Sequence, residues 1–166
     1  MRCKIDGVKP FNNCYFRSCY YHQLISGMSG LGLPPDNILM TAYVAVDKNF
    51  VIRTELNDDM RLKDFCGCKL KEKQFTQKRL IRYIAKGDPI IVGVDCFYLQ
   101  SRADSYKKWH FSHFLLAYGY DLEKGIVNII DHNYINSHRY EEKTISLSNL
   151  LEANRKLKGK NGNNCT

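Results

Sequence analysis

At 166 residues, of which 44% are hydrophobic, the chain can bury one core but is too short for two ordinary domains. It has no apolar run of about 18 residues and no N-terminal secretion signal, so we expect no membrane segment. The net charge of +8 is spread along the chain without any nucleic-acid-binding motif, so we expect no nucleic-acid partner. We predict a single cytoplasmic domain over residues 1–158 and a disordered polar tail over residues 159–166.

The cysteines give no sign of a disulfide framework. There are 7 of them, an odd number, and their spacing is irregular, which indicates reduced thiols. Cys66 and Cys68 form a C-x-C pair with no second pair to match it and no histidine nearby. This is only a weak signal for zinc, so we expect neither a metal nor another bound cofactor.

An N-terminal helix is predicted to begin at Cys14, after Asn13 in the capping position, and to end at Gly27. The unpaired N–H groups and the helix dipole favour an anion in its first turn, so a thiolate nucleophile could form there. The dipole supplies roughly 0.3–1 kcal/mol, less than one pKa unit, and a free thiol with a pKa near 8.5 is mostly protonated at neutral pH. A nearby histidinium must therefore complete the activation.

Regular elements follow a loop rich in proline and glycine. Alternating apolar residues predict a hairpin over residues 38–55, and helical spacing predicts an amphipathic helix over residues 75–85. Ser148 is placed to cap a last helix that ends near Lys158. Nearly continuous apolar runs predict buried strands at residues 89–95, 113–119 and 126–131. A helix followed by strands predicts an α+β domain.

The register of the last two predicted strands can be estimated from the turn between them. A turn centred at Leu122 would place Asp131 directly opposite His113, with the two side chains about 5 Å apart on one face. A shift of one residue would place His132 there instead. His110 is a competing candidate, but it lies an odd number of residues from His113 and would face the other way.

Cys14, His113 and Asp131 would then supply a nucleophile, a general base and an orienting acid. The nucleophile comes early in the chain and the other two come late, as in papain-like enzymes. Each residue also has a purely structural interpretation. Cys14 could be a small buried apolar side chain, His113 could bind a backbone carbonyl, and Asp131 could cap a turn.

Three blocks of the sequence are similar to one known family: Asn13–Tyr15 at the start of a helix, Val94–Gln100, and His110–Asp121 followed by Ile129–Tyr134. They resemble the N-terminal domain of the butirosin-biosynthesis acyltransferase family, a branch of the papain-like and C39-like cysteine enzymes. The resemblance implies a papain-like fold, with the nucleophile helix packed on an antiparallel sheet. It also implies that Cys14 is the nucleophile, His113 the base and Asp131 the orienting acid.

The resemblance further implies a reaction and its partners. Members of this family take an acyl or aminoacyl group from the phosphopantetheine thioester of a carrier protein and pass it to an amine. The product is an amide in a natural-product pathway, formed through a Cys14 acyl-enzyme. The implied partners are an acidic acyl or peptidyl carrier protein, which suits the net charge of +8, and a small-molecule amine.

The sequence departs from the papain-like pattern in three ways. Papain-like peptidases have a glutamine six residues before the nucleophile, and Val8 takes that place here. The oxyanion hole would then need the backbone N–H of Cys14 and another donor, for which Asn12 and Asn13 are the nearest candidates. Cys19 has Asn13 six residues before it, but it would lie more than a turn inside the predicted helix, so it is the second-choice nucleophile after Cys14. A further C-terminal region is common in the family, so two alternatives are open for the acceptor site: it is incomplete here, or it is shared with a partner.

Two other functions remain open on these residues. A C39-like or papain-like cysteine peptidase would use the same triad, although Val8 argues mildly against it. A non-catalytic binding module could keep the papain-like shell without the chemistry.

Overall fold

The computed structural model shows an α+β fold built around an antiparallel sheet. None of the helices it describes is long and apolar enough to cross a membrane. The predictions for Cys14, for the Cys66–Cys68 pair and for the tail over residues 159–166 fall outside the described part of the chain. The described residues are 1–13, 19–33, 43–46, 52–55, 73–133 and 139–158.

Seven strands are present in the described ranges, and β5 is the centre of the larger sheet. It pairs with β6 on one side and with β1 and β4 on the other, while β7 pairs with β6. The predicted hairpin is confirmed as a separate antiparallel pair, β2 with β3. The strands are β1 (Arg2–Lys4), β2 (Tyr43–Val46), β3 (Ile52–Glu55), β4 (Ile90–Asp95), β5 (Ser112–Asp121), β6 (Ile126–Asn133) and β7 (Arg139–Ser146).

The first helix, α1 (Cys19–Gly30), ends three residues later than predicted. Gly27 does not terminate it. This glycine instead lies where α1 packs on β5, and an added Cβ would lie 3.4 Å from Leu116. The chain instead leaves the helix through Gly32, which has a φ of +69°, a value that suits glycine.

The two later helices begin at side-chain caps. Thr76 accepts a hydrogen bond from the backbone of Arg79 at 3.2 Å and caps α2 (Gln77–Ile84). The hydroxyl of Ser146 accepts one from the backbone of Asn149 at 3.1 Å, just before α3 (Leu147–Lys158). The prediction that Ser148 caps this helix was therefore wrong by two residues.

The register of β5 and β6 differs from the prediction. Leu116 faces Ile130, whereas the predicted turn, centred at Leu122, would have placed Asp131 directly opposite His113. The observed turn is centred further along the chain, and a β-bulge in β5 shifts the pairing again. If the pairing is continued by one residue pair beyond Leu116 and Ile130, Asp131 faces Leu115. Asp131 is then diagonal to His113 rather than directly opposite it.

The helices pack against the strands that carry the candidate residues. Helix α1 packs on β5 and β4, α2 packs on the same two strands, and α3 packs on β4 and β7. Leu115, Leu116 and Ala117 of β5 are essentially fully buried. The first turn of α1 and the first residues of β5 are thereby held together.

Candidate active site

His113 and Asp131 form a short, buried hydrogen bond across β5 and β6. His113 Nε2 lies 2.7 Å from Asp131 Oδ1, and the two residues are 5% and 0% exposed. The same carboxylate oxygen accepts the backbone N–H of His132 at 2.7 Å. Diagonal neighbours on paired strands are within reach of a long side chain, so the predicted contact exists although the predicted register was wrong.

Cys19, the first residue of α1, completes a chain of three groups. Its partly buried thiol lies within hydrogen-bonding reach of the His113 side chain. Asp131 occupies Nε2 of the ring, so Nδ1 is the nitrogen left to face the sulfur. The structure thus joins His113 and Asp131 to the second-choice nucleophile of the sequence analysis, while Cys14 lies outside the described residues.

The surroundings shift the pKa of all three groups towards their charged forms. Burial would raise the pKa of the Cys19 thiol, but its hydrogen bond to His113 and the charge of that ring outweigh burial and lower the pKa. Burial would lower the pKa of His113, but its bonds to Asp131 and Cys19 raise it to about 8. Burial would raise the pKa of Asp131, but His113 and Arg102 lower it. Near neutral pH these directions favour a thiolate, an imidazolium and a carboxylate.

Arg102 also belongs to this cluster, although no motif in the sequence pointed to it. Its side chain is nearly buried, and its Nη1 lies 3.3 Å from His113 Nε2. It comes from the segment between β4 and β5, outside the strands and the sequence blocks singled out above. A basic residue there carries no local signal, because its approach to His113 depends on how the whole segment folds.

The side-chain amide of Asn12, one of the two candidate oxyanion donors, is already hydrogen-bonded to strand β7. Its Oδ1 accepts the backbone N–H of Tyr140 at 2.7 Å, and its Nδ2 donates to the carbonyl of the same residue at 3.2 Å. The Tyr140 ring stacks on His22 of α1, with centroids 4.5 Å apart. Asn12 therefore ties the N-terminal segment to β7, whereas Asn13 is exposed.

The competing candidate His110 forms a pair of its own. Its Nδ1 lies 2.9 Å from Asp95 Oδ2, and its ring stacks on Phe97 with centroids 4.1 Å apart. In the β4–β5 ladder Asp95 pairs with Ser112, whereas His113 pairs with the preceding residue. Because successive residues of a strand point to opposite faces, Asp95 and His113 face opposite sides of the ladder.

The cluster has the composition of a nucleophilic site rather than of a metal site. Among the described residues, no group of three histidine, cysteine or acidic side chains could hold a metal ion. Burial raises the pKa of Cys96 to about 12, so this neighbouring thiol stays protonated. Cys19 is the thiol here whose surroundings favour nucleophilic attack.

The comparisons with known proteins identify the family. No curated protein matches the chain. The family model described as butirosin biosynthesis protein H, N-terminal, matches residues 38–132, more than half of the 166 residues. The match includes His113 and Asp131 and begins after α1, so Cys19 lies outside it. It confirms the resemblance noted in the sequence, and the chain belongs to the butirosin biosynthesis protein H, N-terminal family.

Proposed function

We propose that this protein is a cysteine-dependent acyltransferase that forms amide bonds in natural-product biosynthesis. It takes an acyl or aminoacyl group from the thioester of a carrier protein and transfers it to an amine. The observation that carries the proposal is the chain of contacts from Cys19 through His113 to Asp131. Membership of a family named for butirosin biosynthesis supports a biosynthetic role.

In the first half of the reaction, the Cys19 thiolate attacks the carbonyl carbon of the thioester. The tetrahedral intermediate collapses, the carbon–sulfur bond to the carrier breaks, and the leaving thiolate takes a proton from the His113 imidazolium. The products are an acylated Cys19, a free carrier thiol and a neutral His113. Asp131 keeps the ring oriented through its bond to Nε2, which leaves Nδ1 for the exchange of protons.

In the second half, the amine attacks the acylated Cys19 and His113 accepts the proton that the amine loses. The sulfur leaves as a thiolate, the imidazolium is restored, and an amide is released. The oxyanion of both intermediates would bind the backbone N–H of Cys19 and the side chain of Asn13, six residues before it. Asn12 is the weaker candidate for this role because it is bound to Tyr140.

The proposed nucleophile is Cys19 rather than Cys14. The Cys19 thiol interacts with the His113 ring, and this interaction lowers the pKa of the thiol. A helix that carries the nucleophile and packs on an antiparallel sheet is compatible with a papain-like fold, and we include that fold in the proposal.

The proposed acyl donor is an acidic carrier protein. The net charge of +8 would favour association with an acidic partner and would make the association rate depend on salt. The acyl group is supplied on the phosphopantetheine of that carrier, so the protein itself needs no bound cofactor. The acceptor is a small-molecule amine.

The decisive experiment is intact-mass analysis after incubation with a panel of acyl-carrier thioesters, followed by peptide mapping. We expect an adduct equal in mass to the acyl group on Cys19, which is lost in Cys19→Ala and retained in the matched variant Cys14→Ala. Addition of an amine should discharge the adduct as an amide. An adduct on Cys14 would overturn the assignment of the nucleophile.

Two further results would favour other functions. Cleavage of peptides without any need for an amine acceptor would favour a cysteine peptidase that uses the same three residues. If Cys19 alkylates no faster than a free thiol at neutral pH, a non-catalytic binding module becomes the better interpretation.

A further inference from the structure

Arg102 is held rigidly against the His113–Asp131 pair. Its Nε and Nη2 bind the carboxylate of Asp104 at 3.3 and 3.1 Å, and the ring of Phe111 lies 5.5 Å from the guanidinium. These contacts leave Nη1 at 3.3 Å from His113 Nε2. The residue is 5% exposed, so water provides little screening of its charge.

Arg102 acts on the His113 ring through its charge rather than through a conventional hydrogen bond. The carboxylate of Asp131 is ionised and lies 2.7 Å from Nε2, which assigns a proton to that nitrogen. A protonated Nε2 cannot also accept a hydrogen bond from a guanidinium. The nearby positive charge therefore disfavours the imidazolium and favours the carboxylate.

Without this arginine, the charges around His113 would be mostly negative. Asp131 and the Cys19 thiolate both stabilise the imidazolium, and Asp104 adds a third negative charge nearby. A base that remains protonated cannot accept a proton from an amine. The titratable groups of the surrounding elements are Cys19 from α1, Cys96 beside β4, Arg102 and Asp104 from the following segment, Asp131 from β6, and Tyr140 and Lys143 from β7.

We propose that Arg102 is a positioning residue that limits the proton affinity of His113 by placing a fixed positive charge beside its Nε2. His113 can then donate a proton to the leaving thiol in one half-reaction and accept a proton from the amine in the other. The proposal deepens the proposed function, because it concerns the same histidine. Its test needs no catalysis, so the two can fail separately.

The test is an NMR titration of the His113 ring in protein labelled at histidine, with His113→Gln to assign the signal. In Arg102→Gln we expect the pKa of His113 to rise by about one unit, because the nearby positive charge is lost. Arg102→Lys keeps the charge and should recover at least half of that change. Arg155→Gln removes an equal charge from an exposed position of α3 and is the matched control.

Three results would overturn the proposal. The first is an unchanged or lowered His113 pKa in Arg102→Gln, and the second is a change equally large in Arg155→Gln. The third is measured on the wild-type protein, so it does not depend on whether any variant folds. Above the pKa of His113, the ring nitrogen shifts should show a proton on Nε2, and a bare Nε2 that accepts from Arg102 would contradict the scheme.

Discussion

Two histidine–aspartate pairs lie around the start of β5, alike in their hydrogen bond and different in their surroundings. His113 and Asp131 are 2.7 Å apart, and both are buried. His110 and Asp95 are 2.9 Å apart, with a buried carboxylate but an imidazole side chain that is 41% exposed. A short bond to a carboxylate therefore does not distinguish the candidate base.

The two pairs differ in the third group that contacts each histidine ring. The free side of His113 faces the Cys19 thiol, and each group shifts the pKa of the other towards its charged form. The ring of His110 stacks on Phe97, an apolar partner. In the proposed reaction the first pair exchanges protons with the nucleophile and the substrates, whereas the second pair holds the segment after β4 in place.

The largest difference between the pairs should appear when each histidine is removed. We expect His113→Ala to reduce amide formation from a carrier thioester by about 10³-fold, the usual size of a lost general acid–base group. His110→Ala should reduce it less than about threefold, because that ring is bound to Asp95 and takes no part in the proposed reaction. Rates of amide formation measured at saturating thioester test this, and comparable losses in the two variants would show that the pairs act together.

A smaller difference should appear in the pH dependence of acylation. The pKa of His113 is raised to about 8, and only its protonated form can donate a proton to the leaving thiolate. The acylation rate should therefore fall as pH rises through about 8. Asp131→Asn removes the charge that raises this pKa and should move the decline to lower pH. Asp95→Asn should leave it in place. Adduct formation on Cys19, followed by mass across pH 6–10, measures the difference.

The same pKa shift has a consequence for stability. Because folding raises the pKa of His113 from 6.5 to about 8, its protonated form stabilises the fold fully below pH 6.5, and this contribution is lost as pH rises through about 8. The lowered pKa of Cys19 acts in the opposite direction, since its contribution is lost as pH falls. The two contributions partly cancel in a curve of stability against pH. The pH dependence of the acylation rate therefore reports the titration of His113 more clearly.

Much of the fold could be predicted because hydrophobic periodicity is a local property. The apolar runs of β4, β5 and β6 marked these strands, and helical spacing marked α2. Strand β7 was missed because its sequence, Arg139–Ser146, is mostly charged or polar, and pairing with β6 rather than composition makes it a strand. Long-range pairing of this kind leaves no local signal.

The candidate site was predictable in its residue types and less so in its geometry. His113 and Asp131 were paired by a register that was wrong by two residues, and their contact survives because a long side chain reaches its diagonal neighbour. Cys19 was ranked second because the helix was expected to begin at Cys14. The position of Arg102 depends on the fold of the whole segment between β4 and β5, so the spacing of its sequence could not have shown it.

The smallest expected effect concerns the ring stacking that distinguishes the second pair. Phe97→Leu removes the stacking on His110 and should lower the free energy of unfolding in urea by about 1 kcal/mol, with amide formation unchanged. In a His110→Ala background the same substitution should cost about 0.5 kcal/mol less, because the ring pair is already gone. Equal costs in both backgrounds would assign the loss to burial of Phe97 alone, and a change in amide formation would link this pair to the site.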